Sequence, residues 1–230
     1  LIAVKSDLPA ENPLYPDELA QLPHGRHGLP AEFVDRNQRR RLIAAFTALV
    51  GEVGYSGATI TGLAEAASVS TRTFYKFFET VEDCCLAAFD QAIDELRPVI
   101  AEAWDRHEEW PLRVRATLEA LLADFGERPD QARLLSAEPF VAGPRIAARH
   151  KAAVEELVPY LREGRRLRKV ADALPETTER ALLGSVDSAV ARKLLAGDAE
   201  SLPGLHPTLT QFVLTPYLGQ ARAHELATSN

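Results

Sequence analysis

The chain has 230 residues, 46% of them hydrophobic, with 26 Lys and Arg against 33 Asp and Glu. That is enough apolar material for a substantial core, but the longest apolar stretches, such as Leu42–Val50, fall far short of the roughly 18 residues a membrane-spanning helix needs. A net charge of −7 excludes indiscriminate coating of nucleic acid, and a single adjacent pair, Cys84 and Cys85, excludes a disulfide framework.

Residues 1–34 carry prolines at 9, 13, 16, 23 and 30 and no apolar run. The expectation is an extended or partly disordered arm, not a signal peptide, and hence a cytoplasmic protein. The sequence contains no methionine, not even at position 1. It either begins after the initiator or has lost its methionines. Asp35 is the expected N-cap of a first helix, with Leu42, Phe46, Leu49 and Val53 at helical spacing and Gly54 as its stop. Thr59 or Thr61 caps a short second helix through Ala67. Ser70 or Thr71 caps a third, through Phe77 or Phe78. Thr80 caps a fourth, whose Leu86, Phe89, Ile93, Leu96 and Ile100 form one stripe and in which Pro98 is a candidate kink.

Beyond Trp110 the period stays helical. Val114, Leu118, Leu121 and Phe125 mark one helix, Pro129 to Phe140 a short one, and Ile146, His150, Val154, Leu157 and Leu161 a long one. Pro175 opens the next, and Pro207 opens the last. No run alternates with the period of a strand, so the fold class is all-α.

The informative segment is Ile60–Phe78, ITGLAEAASVSTRTFYKFF. Two short helices separated by about three residues form a helix-turn-helix. Ala64 is small where the two helices cross. Leu63, Val69, Phe74 and Phe77 are apolar where the pair meets its neighbours. Ser70, Thr71, Arg72, Thr73, Tyr75 and Lys76 are polar where the second helix would face a major groove, and the start of that helix is a candidate phosphate site. Between Leu22 and Thr80 seven basic side chains stand against five acidic ones, a net +2, so the flanking segments carry −9. A locally basic unit on an acidic body suits specific binding by one face.

With its basic first helix, the stretch GYSGATITGLAEAASVSTRTFYKFFETVEDCCLAAFD resembles the DNA-binding module of the TetR family of transcriptional repressors, over about Arg36 to Ile100. The resemblance implies a three-helix DNA-binding domain over 35–80 and a helical ligand-binding and dimerisation domain over 81–230. It places Thr71, Arg72 and Thr73 in the major groove, with Arg72 as the bidentate guanine contact. Ser70 belongs to the same surface. Tyr75 and Lys76 match the family's phosphate-holding pair, and Thr59 and Thr61 hold phosphate at the second helix. Two positions depart from the pattern. Ser68 stands where the turn usually has glycine, at a cost if the backbone needs positive φ. Val81 stands where a lysine commonly opens the fourth helix, a lost phosphate contact for which Arg39 and Arg40, with Arg41, would compensate.

The implied partners are a palindromic double-stranded DNA operator, a small-molecule effector and a second copy of the chain, with no cofactor and no metal. The candidate pocket residues are Trp104, Trp110, Leu118, Leu122, Phe125 and Phe140, whose aromatic, uncharged character suits an apolar or aromatic molecule. The wide apolar arc of 176–196, with the helix after Pro207, makes Leu182, Val186, Ala189, Val190, Leu209, Phe212 and Val213 the candidate dimer interface. Effector binding would then shift the fourth helix and reset the spacing of the two recognition helices. Cys84 and Cys85 read as buried structural thiols. No phosphate loop, nucleophile elbow or metal spacing is present, so an enzyme is not expected. A helical protein-interaction module is the alternative; it would explain the acidic amphipathic helices but not Ser70–Lys76 beside a basic helix.

Overall fold

The computed structural model describes residues 29–167 and 174–229, and among these it contains helices and no strand. The expected arm lies outside the described residues as far as position 28. Its last residues are not arm. Helix α1 spans Ala31–Val53, four residues earlier than the expected start at Asp35. Pro30 has the extended backbone of a cap, its carbonyl accepts from the Phe33 and Val34 amides, and Phe33 is buried, so an apolar anchor fixes the start. Asp35 pairs instead with Lys76. At the other end Gly54 takes φ +72°, a conformation that only glycine adopts freely.

Three short-range caps decide the next elements. Thr59 accepts from the Gly62 amide and starts α2, Ile60–Ala66. Ser70 accepts from the Thr73 amide and starts α3, Thr71–Phe77. Thr80 and Asp83 cap each other at the start of α4, Val81–Asp105, which continues past Pro98. Leu42, Phe46, Leu63 and Phe74, each fully buried, join α1, α2 and α3 to the first turns of α4.

The remainder is α5 (Trp110–Glu127), α6 (Pro129–Ser136) with a tight helical turn at Glu138–Phe140, α7 (Pro144–Arg162), α8 (Thr178–Leu195), α9 (His206–Leu218) and α10 (Gln220–Thr228). The expected last helix is two, because Gly219 at φ +78° breaks it. Helix α5 packs along α4, α7 bridges α4 and α8, and α6 lies against α1. Far from α1, the fully buried Glu179 of α8 is held by two hydrogen bonds from Arg165, at 2.6 and 2.9 Å, and one from the Tyr217 hydroxyl of α9 at 3.2 Å. Burial alone would raise that carboxyl's pKa, but the Arg165 hydrogen bonds and charge hold it below the ordinary range. No helix among the described residues is long and apolar enough to cross a membrane.

Candidate DNA interface and ligand cavity

The turn between α2 and α3 is closed by backbone bonds from the Ser68 amide to Glu65 and from the Val69 amide to Ala64. It requires Ser68 at φ +49°, the strained position anticipated from the sequence. Arg41 of α1 donates to the Ser68 carbonyl at 3.3 Å and so braces the turn from behind. Packing of Leu63, Ala64 and Phe74 in the interior turns the other face of α3 outward.

Thr71, Arg72, Tyr75 and Lys76 are exposed on that face, and Thr73 is half-buried beside them. Thr59, Thr61 and Ser70 are exposed too, but the Thr59 and Ser70 side-chain oxygens are occupied by their helix caps. Ser70 Oγ lies 2.9 Å from Thr73 Oγ1 as well, so these two hydroxyls act as a pair. Lys76 is paired with Asp35 and sits 5.5 Å over the Phe77 ring. To reach a phosphate it must exchange one anion for another. Arg39 is exposed with its guanidinium 5.5 Å over the Phe78 ring, a contact that aims it without neutralising it. Arg40 is half-buried on the same helix. Thus α3, its two flanking caps and one edge of α1 form one hydroxyl- and cation-bearing surface.

Behind it lies a cavity of about 200 Å³ walled by α4, α5, α7 and α8, with Leu135 and Ser136 of α6 at one end. Phe89, Ile93, Leu96, Ile100 and Trp104 line it along α4. Two polar pairs border it. Arg97 meets Glu156 at 3.0 Å between α4 and α7, and His150 meets Asp187 at 3.2 Å between α7 and α8. Of the six pocket residues expected from sequence, Trp104, Leu118 and Phe125 line this cavity. The other three do not. Trp110 packs edge-on against Tyr217 and donates to the Tyr160 carbonyl at 2.7 Å, Leu122 is buried outside the lining, and Phe140 is 67% exposed, its ring against His150. Aromatic, uncharged character pointed to Trp110 and Phe140, but a large ring serves core, cavity and surface alike. The α4 stripe was legible as apolar; that it lines empty space was not.

Residues 42–88 match the family model described as bacterial regulatory proteins, tetR family. The segment from α1 to the first turns of α4 is thus a TetR-type helix-turn-helix. A curated relative, the HTH-type transcriptional activator FasR of Mycolicibacterium smegmatis, is 30% identical over 122 residues, which are 52% of this chain and 55% of the relative. The match therefore spans only about half of the relative's length. Among solved structures, the fatty acid degradation regulator FadR from Bacillus halodurans is similar with a TM-score of 0.67 at 17% identity, over 77% of this chain and 94% of that one. The regulator FadR from Bacillus subtilis, in complex with stearoyl-CoA, also has a TM-score of 0.67, at 14% identity over 78% and 98%. At such identities the likeness is one of fold. The TetR family is one of transcriptional regulators, and the segment matched here is the helix-turn-helix.

The expected dimer residues fall mostly inside the protomer. Leu182, Val186, Val190, Leu209 and Val213 are all buried in its own core, and Val186, Val190 and Val213 also line the cavity. Within the protomer these five side chains pack as core. Ala189 is half-buried, and Phe212 is 43% exposed. The arc was wide because α8 touches α6 and α7 as well as α9. Cys84 and Cys85 are fully buried, and that burial pushes both thiols up to about 12, so neither is a nucleophile at neutral pH.

Proposed function

We propose that this regulator acts as a homodimer that binds a palindromic operator through α3 and is released from it by a long apolar acyl chain entering the cavity. The observation that carries the proposal is the placement of both features on one helix: α4 packs with its first turns against α1 of the DNA-binding unit and walls the cavity with the rest. In this reading residues 31–80 are the DNA-binding unit and 81–230 the ligand-binding and dimerisation unit. Arg72 reads guanine, Thr71 and Thr73 line the groove, and Tyr75, Lys76, Arg39 and Arg40 hold phosphates. Two-fold symmetry sets the two recognition helices about one DNA turn apart.

The class of ligand is supported by the apolar lining and by the two neighbours, one named for fatty acid degradation and one holding stearoyl-CoA. The relative from Mycolicibacterium smegmatis is named an activator. Release from DNA switches transcription on where the bound dimer blocks a promoter, and off where it assists one. The sign therefore follows from where the operator lies.

The test is selection of bound fragments from random duplex DNA, at two salt concentrations, with the wild type and an Arg72→Ala/Lys76→Ala variant. The wild type is expected to enrich a palindrome and lose affinity steeply with salt, the variant to fail, and stearoyl-CoA to weaken binding by about ten-fold. No enriched sequence, with equally weak binding by both proteins, overturns the DNA reading. A palindrome whose binding ignores stearoyl-CoA overturns the acyl reading alone.

A further inference from the structure

Helix α6 stands between the cavity and the DNA-binding unit. On one side Leu135 and Ser136 line the cavity. On the other, Arg133 donates to the Gly51 carbonyl at 3.0 Å and to Glu138 Oε1 at 2.8 Å. Glu138, only 3% exposed, spends its second oxygen on the Tyr55 amide at 2.9 Å. Gly51 lies in the last turn of α1 and Tyr55 just beyond it, so the pair grips the chain where α1 hands over to α2. The fit is close. A Cβ on Gly51 would fall 1.9 Å from an Asp130 oxygen, and one on Gly54 would fall 3.0 Å from an Arg133 nitrogen.

The polar ties between α4 and α7 are of a different kind. Arg145 to Glu82 and Asp83, and Arg149 to Asp90, join α7 to α4 through partly exposed side chains. Such pairs lengthen and re-form in water at little cost. A buried carboxylate cannot, because losing either partner leaves a buried charge or donor unpaired. The clamp therefore moves as one piece or breaks.

We propose that the Arg133–Glu138 clamp carries ligand occupancy from the cavity to the recognition helix. A chain entering beside Leu135 and Ser136 displaces α6, and the clamp takes Gly51–Tyr55 with it, moving α2 and α3 away from the spacing that fits DNA. The trigger rests on the acyl reading above; the linkage does not.

The experiment uses the full chain with Glu138→Gln, which keeps the shape of the side chain, and Arg133→Lys, which keeps the charge. Operator affinity is measured with and without stearoyl-CoA, and stearoyl-CoA affinity separately. Both variants are expected to hold DNA and stearoyl-CoA nearly as the wild type does, while the ten-fold effect of one on the other shrinks below about two-fold. Retention of the full effect overturns the clamp. Leu121→Trp then tests the linkage with no ligand, by filling the cavity from α5. Amide hydrogen exchange over residues 51–58 is expected to quicken in it, and Glu138→Gln is expected to abolish that further change. A folded Leu121→Trp protein with unchanged exchange at 51–58 also overturns the clamp. If that exchange does quicken while the wild type ignores stearoyl-CoA, the acyl reading falls and the clamp stands.

Discussion

Ser68 holds a left-handed backbone that a side chain opposes by about 1–2 kcal/mol. The strain persists because both neighbouring amides are satisfied in the turn and Arg41 holds its carbonyl. Ser68→Gly removes the opposition but frees the unfolded chain, so the net gain is about 0.5–1 kcal/mol. That corresponds to a rise in Tm of roughly 1–4 °C, checked by thermal unfolding; a lower Tm would mean that the serine makes a contact worth more than the strain. At this scale the sequence was readable wherever a residue's chemistry is local. Thr59, Ser70 and Thr80 cap helices because a short oxygen-bearing side chain can reach an amide two or three residues on, and nothing distant competes. Trp110 and Phe140 were not readable. Whether a ring packs on Tyr217, lines a cavity or faces water is fixed by residues a hundred positions away.

The start of α4 shows the same contrast among elements. Its capping box joins Thr80 and Asp83 through three hydrogen bonds of 2.8 to 3.1 Å, and Arg145 of α7 adds a fourth to Asp83. The Thr80 hydrogen bonds, with the one from Arg145, hold the Asp83 carboxyl below its ordinary range. Thr80→Ala is expected to cost about 1 kcal/mol in urea unfolding at neutral pH. A carboxyl whose pKa is lower folded than unfolded stabilises fully above the unfolded value, near about 3.9, and its contribution is lost as pH falls through the folded value. The gap between wild type and Thr80→Ala should therefore narrow on acidification through that window; a gap independent of pH would remove Asp83 from the account. Helices with side-chain caps were placed correctly from sequence. The start of α1 was not, because its anchor is Phe33 packing and not a cap. The break between α9 and α10 lies at Gly219, whose positive φ is not legible from helical spacing.

For the molecule as a whole, the open matter is the face through which two copies would meet. The apolar side of α8 is spent within the protomer, which leaves a stripe of small exposed residues, Ala181, Gly184, Ser185 and Ser188, on its outer side, with Phe212 exposed on α9. Small residues let two helices approach closely, and the same stripe on both copies satisfies a two-fold axis. Gly184 separates this proposal from simple solvent exposure. A Cβ there meets nothing within 4 Å, so the lone protomer has room for any side chain. Replacing a glycine inside an exposed helix also favours the helix, by up to about 1 kcal/mol. Gly184→Arg should therefore leave a folded protomer with an undiminished Tm at high dilution. In a dimer that closes over α8 it places two long cations at the axis. Sedimentation should then show a monomer, and operator binding should weaken by orders of magnitude because each half-site is held alone. A Gly184→Arg protein that sediments and binds as the wild type does would put the partner elsewhere on the surface, with Phe212 and α9 the next face to probe.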